Sequence, residues 1–425
     1  MTTPRGVLGM RRIRRLTGAW LLVSLLLLMI GPPPAAADLV TDWNLTTLAV
    51  ETPANIVRTL AMVHLAMFDA VNAVSPEYQA YAVSGPVAGD VSPEAAAAGA
   101  AYGILIRLLP AQEALLDAAL AASLASIPDD PAKTAGLALG DAVADVIVAL
   151  RSGDGILTPG PPYTPGTEPG DYQLTPPNFP APVATGAKDW TPFAMTSASQ
   201  FRPNGPPALP TGRYAREVAE VRRLGTADPL LRTPEQDLIA NWHREQAHFQ
   251  LNRIAREAVA DGTFDLLTSA RMFALLNVAT MDGVQSVFEA KYVYDFWRPI
   301  TAIHEAGDDG NPATTPDPDW KPFLVNTPPH PEYPSAHAVG QAAGATVLEH
   351  FLGHHYGFTA TSATVPGVER SFDSLAAFVE DGKLGRVYGG VHFHSAVEEG
   401  ARQGKKLGKW VLKRLLEPLH GKNSP

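Results

Sequence analysis

The sequence predicts an all-α fold, a single domain of packed helical bundles. Several long segments repeat their apolar residues every three to four positions, which is typical of helices that bury one face. No stretch alternates apolar and polar residues as a half-buried strand would, and no short period repeats. The 425 residues are 46% hydrophobic, which is enough to bury a large core.

The predicted N-terminal half, residues 38–154, consists of bundle helices. Residues 53–74 show helical periodicity after a helix-start signal. Residues 92–123 are rich in alanine and leucine and predict two helices interrupted at Pro110. Residues 131–150 predict a further helix. Small residues at the expected contacts favour close helix packing.

Residues 155–210 differ in composition, with many prolines, glycines, threonines and aromatic residues. A free linker would contain fewer aromatics. We predict a long irregular segment that wraps over the helical body, and segments of this length are usually functional or disordered. Two interpretations stay open, a structural belt and a rim over an active site.

The predicted C-terminal half, residues 211–425, is again helical. Periodic segments run from residue 233 to 261 and from residue 265 towards Arg298. Two more begin after Ser335 and after residue 394. This half contains the residues on which the functional interpretation depends.

The first 37 residues have the pattern of a secretory signal peptide. Five arginines precede the apolar run 19–30, and Ala35, Ala36 and Ala37 offer a cleavage site before Asp38. We therefore expect a secreted, periplasmic or cell-envelope protein. We also expect no stable membrane span after cleavage.

Charge and cysteine content exclude several function classes. The formal charge is −10, and removal of the first 37 residues with their five arginines changes it to 28 − 43 = −15. An acidic chain lacks the large basic surface that nucleic-acid binding requires, so we expect no nucleic-acid partner. With no cysteine, the chain has no disulfides, zinc–thiolate sites or cysteine nucleophile.

Residues 327–337 predict an anion-binding helix start. The segment is rich in proline up to Pro334, and an apolar run of small residues follows Ser335. Ser335 is placed as an N-cap, and the first N–H groups of a helix have no intrahelical partner. The Ser335 hydroxyl, the Ala336 N–H and the His337 imidazole can therefore converge on one oxyanion.

Cationic residues flank this stretch on both sides. Lys291 and Arg298 are seven residues apart, which predicts one helix face two turns long, ended by Pro299. Downstream, Arg386 and His392 surround a glycine pair. Each feature alone has a simpler explanation, such as a solvated helix face or a structural histidine. Together they predict an oxyanion pocket with a histidine available for acid–base chemistry.

These motifs resemble the signature of vanadium-dependent haloperoxidases and the related type 2 phosphatidic-acid phosphatase superfamily. The motifs are Lys-x6-Arg-Pro at 291–299, Pro-Ser-x-His at 334–337 and Arg-x5-His at 386–392. They lie within residues 285–405. Residues 64–72 also resemble secreted bacterial haloperoxidase-like proteins. The resemblance implies the helical fold that haloperoxidases share with acid phosphatases.

The resemblance also implies vanadate as cofactor and a role for each matching position. The implied vanadate-binding positions are Lys291, Arg298, Ser335, Ala336, Arg386 and His392. His392 is implied to bind the metal through a ring nitrogen and His337 to be the acid–base residue. Lys291 is implied to polarise bound peroxide.

The implied reaction is the oxidation of halide by hydrogen peroxide to hypohalous acid, which halogenates small organic substrates. His330 is the candidate halide-site residue, because this position tends to be histidine in family members that oxidise bromide. The resemblance therefore favours bromide and iodide. The alternative is a histidine held in place by the proline-rich turn.

The chain departs from the family pattern at two positions. Ala336 replaces a usual glycine, and Ala396 replaces an aspartate that often follows the metal-binding histidine by four residues. Nothing obvious in the sequence then holds the tautomer of His392, because Glu398 and Glu399 have the wrong helical offset. A backbone carbonyl is one substitute. This absence weighs against a phosphatase.

Two alternatives to a haloperoxidase remain open. An acid phosphatase would use His392 as nucleophile and His337 as acid for the leaving group. A non-catalytic envelope protein would only retain an anion pocket. The sequence makes no prediction of the organic substrate or the oligomeric state.

Overall fold

Helices make up most of the protein, and the predicted all-α fold is confirmed. The computed structural model describes residues 39–52, 55–228, 231–260 and 262–419. The predicted signal peptide and its cleavage site lie outside these residues. The described chain from Leu39 onward belongs to one compact unit.

Five helices precede the irregular segment and eight follow it among the described residues. The first five are α1 (Leu39–Val50), α2 (Ile56–Val74), α3 (Pro93–Leu108), α4 (Glu113–Leu124) and α5 (Pro131–Arg151). The other eight are α6 (Gly212–Leu224), α7 (Pro234–Trp242), α8 (Ala247–Val259), α9 (Leu266–Tyr294), α10 (Pro299–His304), α11 (Ala336–Leu352), α12 (Leu375–Tyr388) and α13 (His394–Arg414). A 3-10 turn at Pro110–Gln112 separates α3 from α4, at the predicted interruption.

A short antiparallel hairpin was not predicted. Strands β1 (Phe358–Thr361) and β2 (Glu369–Phe372) pair so that Phe358 lies opposite Phe372. Four residues are too few for an alternating pattern to be recognised in sequence. The aromatic rings of this pair pack against Phe378 of α12, so the hairpin covers one end of the helical core.

The single helix expected over residues 233–261 was wrong. The chain leaves the helix after Trp242 and re-enters it at Ala247. Buried His243 lies in this break, where its ring contacts Asp381 of α12 at 2.9 Å and Gln341 of α11 at 3.0 Å. These tertiary contacts override the local periodicity.

Helix α2 lies in the core and is buried on nearly all sides, rather than on the one face that its periodicity predicts. It is the one helix in the described part of the chain that is long and apolar enough to cross a membrane by length and composition. However, 94% of its apolar window is buried inside the protein. Core helices meet the same length and composition criteria as membrane spans.

The irregular segment between α5 and α6 is tied to α9 by a buried carboxylate. Asp282 accepts hydrogen bonds from the N–H groups of Phe193, Ala194 and Met195, each at 2.8 Å. Further along, the N–H of Val183 donates to Pro329 O at 3.1 Å. The segment is therefore attached to the core at one point and to the proline-rich stretch before Ser335 at another.

We predict that Asp282→Ala detaches this segment. Three buried N–H groups lose their acceptor, and each unsatisfied group costs about 1–3 kcal/mol. We expect the free energy of unfolding in urea to fall by about 3 kcal/mol or more. New proteolytic cleavage should appear near residues 190–200. Asp282→Asn, which keeps one acceptor oxygen, is the matched control and should lose less, and equal stability of both variants to the parent would contradict this account.

Candidate active site

The candidate site residues come from three segments that the fold brings into contact. Lys291 lies in the last turn of α9, which ends at Tyr294. Asp295 then takes a left-handed conformation, with φ at 47°, and the chain turns before Arg298. The predicted shared helix face is therefore wrong, since Arg298 is the residue ahead of Pro299 and α10.

Arg298 is fully buried and joins the three segments. Its Nε donates to His330 O at 2.9 Å, and Nη2 contacts Pro328 O at 3.0 Å and His330 Nδ1 at 2.9 Å. Nη1 donates to Val391 O at 2.7 Å and contacts His392 Nε2 at 3.3 Å. A guanidinium has five N–H donors, and these contacts account for all five. Arg298 thus organises the site as well as supplying charge.

Lys291 is also fully buried, with Nζ donating to Pro331 O at 2.7 Å and to Glu332 O at 2.9 Å. A protonated amine has three donors, so one is left for a ligand. Burial lowers the pKa of Lys291 well below its usual value, and nearby Arg298 adds to this, while Glu332 opposes it. A bound anion would restore the charged amine.

Ser335 occupies the N-cap position of α11, but its side chain makes no capping hydrogen bond. Its N–H donates to Ala396 O at 3.0 Å, which fixes the residue against α13. The Ser335 hydroxyl is buried and has no partner in the part of the chain that the structure describes. The next residue, Ala336, is partly exposed and begins the helix, where N–H groups have no intrahelical acceptor. A hydroxyl and a helix N-terminus are thus both available for one ligand.

Arg386 of α12 is the cation with the fewest contacts. It is buried, and within the described ranges its guanidinium has one long hydrogen bond, from Nη1 to His243 O at 3.4 Å, while Nε is unpaired. Burial lowers the pKa of Arg386 to about 9, with a contribution from Arg298. A buried guanidinium with so few hydrogen bonds favours the binding of an oxyanion.

His337 lies in the first turn of α11, and its Nε2 atom is buried. No described residue hydrogen bonds to this atom. Burial lowers the pKa of His337 well below its usual value, Arg386 and His243 add to the effect, and a backbone contact with Arg244 opposes it. The neutral imidazole can therefore accept a proton.

His392 is buried just ahead of α13, and a carboxylate orients it, contrary to our sequence expectation. Its Nδ1 lies 2.8 Å from Glu332 Oε1, which also accepts the N–H of Phe393 at 2.9 Å. Burial raises the pKa of Glu332 to about 8, against the lowering effect of Lys291 and Arg298. Sequence spacing directs attention to acids on α13, after His392. The acid that orients His392 lies instead inside the proline-rich motif before Ser335, and its place there is the sequence signal for it.

The other two acids considered as substitutes, Glu398 and Glu399, form ion pairs with other residues. Glu398 pairs with Lys383 at 2.5 Å, and Glu399 pairs with Arg402. Ala396 contributes only its backbone carbonyl, to the N–H of Ser335. These contacts agree with the sequence inference that Glu398 and Glu399 have the wrong helical offset to hold His392.

His330 is held by Arg298 rather than free. Arg298 Nη2 and Pro331 O lie 2.9 Å and 3.1 Å from its Nδ1. A guanidinium can only donate and a carbonyl can only accept, so the two contacts require opposite protonation states of Nδ1. Phe288 packs against the ring in an edge-to-face arrangement, with 5.1 Å between centroids. Arg298, Pro331 and Phe288 therefore hold the His330 ring in place.

The site fits vanadate by its chemistry. The cluster holds three buried cations, Lys291, Arg298 and Arg386, beside the buried carboxyl group of Glu332, so it favours an anion. Unpaired donors on Ser335 and Arg386 suit a tetrahedral oxyanion, and His392 suits the metal. The predicted vanadate-binding residues therefore lie around one point in the fold.

Comparisons with known proteins agree with this geometry. A family model described as the VCPO second helical-bundle domain matches residues 271–421. Vanadium chloroperoxidase from Curvularia inaequalis is 34% identical over 107 residues, which are 23% of this chain and 17% of that protein. The crystal structure of the first bacterial vanadium-dependent iodoperoxidase is 27% identical with a TM-score of 0.76, over 91% of this chain and 97% of that one.

The C-terminal part of the chain resembles vanadium-dependent haloperoxidases in sequence, and the described fold resembles theirs. A holo-type bacterial vanadium-dependent chloroperoxidase shares its fold, with a TM-score of 0.68, 18% identity and coverage of 90% of this chain and 93% of that one. The family match covers all three predicted motifs. The vanadium dependence of these similar proteins is therefore consistent with the cationic pocket described above.

We predict that oxyanions stabilise this haloperoxidase-like protein through Arg386. A ligand at 100 times its dissociation constant stabilises the folded state by about 2.7 kcal/mol. We expect vanadate and phosphate to raise the midpoint of thermal unfolding, and Arg386→Gln to abolish most of the rise. Arg222→Gln removes a partly exposed arginine that pairs with Asp317 and should leave the rise unchanged. An equal rise in the parent and in Arg386→Gln would contradict the prediction.

Proposed function

We propose that this chain is a vanadium-dependent haloperoxidase that oxidises iodide and bromide with hydrogen peroxide. The products are hypohalous acid, which halogenates small organic compounds, and water. The observation that carries the proposal is the buried group of Lys291, Arg298 and Arg386 near His392, whose Nε2 is an acceptor. The net reaction balances as hydrogen peroxide, halide and one proton giving hypohalous acid and water.

Vanadate, when bound, activates hydrogen peroxide for transfer of an oxygen atom to halide without a change in its own oxidation state. Lys291 and Arg386 would hold its oxygens, with the Ser335 hydroxyl and the Ala336 N–H. Arg298 would join them through the Nη1–H that contacts His392 Nε2. His392 Nε2 would bind the metal. The third N–H of Lys291 would withdraw electron density from the reacting oxygen.

His337 would move the protons. Its Nε2 has no partner among the described residues, and its depressed pKa keeps the ring neutral before the substrate arrives. The ring would accept a proton from hydrogen peroxide and return one to the departing water. Arg386, whose charge lowers the pKa of His337, makes the imidazolium a strong acid for this second step.

The proposal also covers the halide preference and the location of the protein. His330 and the likeness to a bacterial iodoperoxidase support iodide and bromide over chloride. The arginine-rich, apolar N-terminal pattern supports export from the cytoplasm.

A second candidate function is an acid phosphatase on the same scaffold, and one observation favours it. Glu332 supplies His392 with the carboxylate that seemed absent when Ala396 was found in place of aspartate. An oriented His392 can attack phosphorus through Nε2, and His337 can protonate the leaving group. Our sequence argument against a phosphatase therefore no longer holds.

We predict that vanadate-loaded protein halogenates with hydrogen peroxide, and that the same preparation hydrolyses phosphate esters slowly or not at all. His392→Ala should lose vanadate retention. His337→Ala should retain vanadate but lose about 100-fold or more in turnover, as expected for a missing acid–base residue. Exposed His354→Ala is the control. Anion binding without either activity would instead indicate a non-catalytic protein, and full bromination by His392→Ala would reject the metal-ligand assignment.

We predict that kcat/KM decreases in the order iodide, bromide, chloride. His330→Phe should shift the bromide-to-chloride ratio towards chloride by about tenfold, the scale typical of a changed pocket contact. Steady-state halogenation rates with each halide measure this ratio. Vanadate affinity is measured alongside, because His330 also contacts Arg298. A ratio that does not change would leave His330 as a residue that only holds Arg298.

A further inference from the structure

Glu332 connects three parts of the site through three different groups. Its N–H donates to Phe296 O at 2.8 Å, and its carbonyl accepts from Lys291 Nζ at 2.9 Å. Its carboxylate contacts His392 Nδ1 and the N–H of Phe393. The residue is fully buried, and its second carboxylate oxygen has no partner among the residues described. A buried carboxylate this close to an anion pocket needs an explanation, because its charge opposes anion binding.

The contacts of His392 define its tautomer. Its Nε2 lies 3.3 Å from Arg298 Nη1, and a guanidinium can only donate. Nε2 must then present its lone pair, so the proton of the neutral ring lies on Nδ1, which faces Glu332 Oε1. The contacts of both ring nitrogens thus indicate the same tautomer, with the proton on Nδ1. A free lone pair on Nε2 is what a metal or phosphorus atom requires.

We propose that Glu332 is the positioning residue that holds His392 with its proton on Nδ1 and with Nε2 unprotonated. It would take the place of an aspartate on α13, the helix that follows His392. The proposal deepens the proposed function but concerns the protein's own residues. Ring-orienting partners of this kind typically change metal affinity by about 10–100-fold when removed.

The sign of the expected effect separates positioning from simple electrostatics. A carboxylate beside an anion site repels the anion, so its removal should leave anion binding unchanged or strengthen it. Loss of ring orientation should instead weaken the binding of vanadate, which needs Nε2. The binding of inorganic phosphate, held only by the cations and N–H groups, should not weaken. Weaker vanadate binding without weaker phosphate binding is therefore the signature of a positioning role.

The test combines two measurements on the full chain. Long-range 1H–15N correlation spectra of the anion-free protein report the tautomer of each histidine, and the signal lost in His392→Ala identifies His392. We expect Nδ1–H in the parent and a shift towards Nε2–H in Glu332→Ala. Calorimetric titration should show vanadate binding weakened by about tenfold or more in Glu332→Ala and Glu332→Met, which both remove the acceptor oxygen. Phosphate binding should be unchanged or tighter.

Glu217→Gln is the matched control. Glu217 of α6 is another buried carboxylate, and it accepts the N–H of Ser395, at the start of α13, at 3.2 Å. This variant should leave the His392 tautomer and both affinities within about twofold of the parent. Glu332→Met has a similar volume without an acceptor oxygen and decides the matter if Glu332→Ala does not fold.

Several outcomes would overturn the inference. These are an Nε2–H tautomer in the parent, unchanged vanadate affinity in Glu332→Met, equal weakening of the binding of both anions, and an equal effect of Glu217→Gln. If the parent binds neither anion, the proposed function fails, but the tautomer measurement on the anion-free protein still decides the role of Glu332.

Discussion

Buried positive charge is the constraint on which the rest of the site depends. Lys291 and Arg298 are fully buried and Arg386 nearly so, and each lowers the pKa of neighbouring groups. Like charges at close range in a low dielectric repel strongly, so the surrounding protein must hold them in place. Backbone carbonyls do this for Lys291 and Arg298. Arg386 is left largely without partners, and an oxyanion is the group that would complete its hydrogen bonds.

Arg298 links this charge to the fold. Its five donors reach the stretch before Ser335 and the turn before α13, so one side chain fixes two segments that are far apart in sequence. The end of α9 at Tyr294 makes this possible, because a continued helix would direct Arg298 along the same face as Lys291. The irregular segment reaches the same region through Val183 and Pro329. Site geometry and tertiary packing are therefore determined by the same contacts.

The sequence predicted the helical class, most helix starts and the residues that meet in the site, because apolar periodicity and short motifs are local signals. It did not predict the break at His243, the hairpin, or the position of Arg298 off the helix. Each of these depends on contacts between distant segments, such as the contacts of His243 with Asp381 and Gln341. Glu332 was missed for the same reason, since its partner His392 is 60 residues away. Local spacing contains no information about such a pair.

The location of the orienting carboxylate has a mechanical consequence. An aspartate on α13 would hold His392 independently of the segment that precedes Ser335. Glu332 instead holds His392 by its side chain and Lys291 by its carbonyl. A displacement of this one residue moves the imidazole and the amine together. The imidazole and the amine, which would both contact a bound anion, are therefore coupled through a single residue, and both would lose their alignment if the segment shifted.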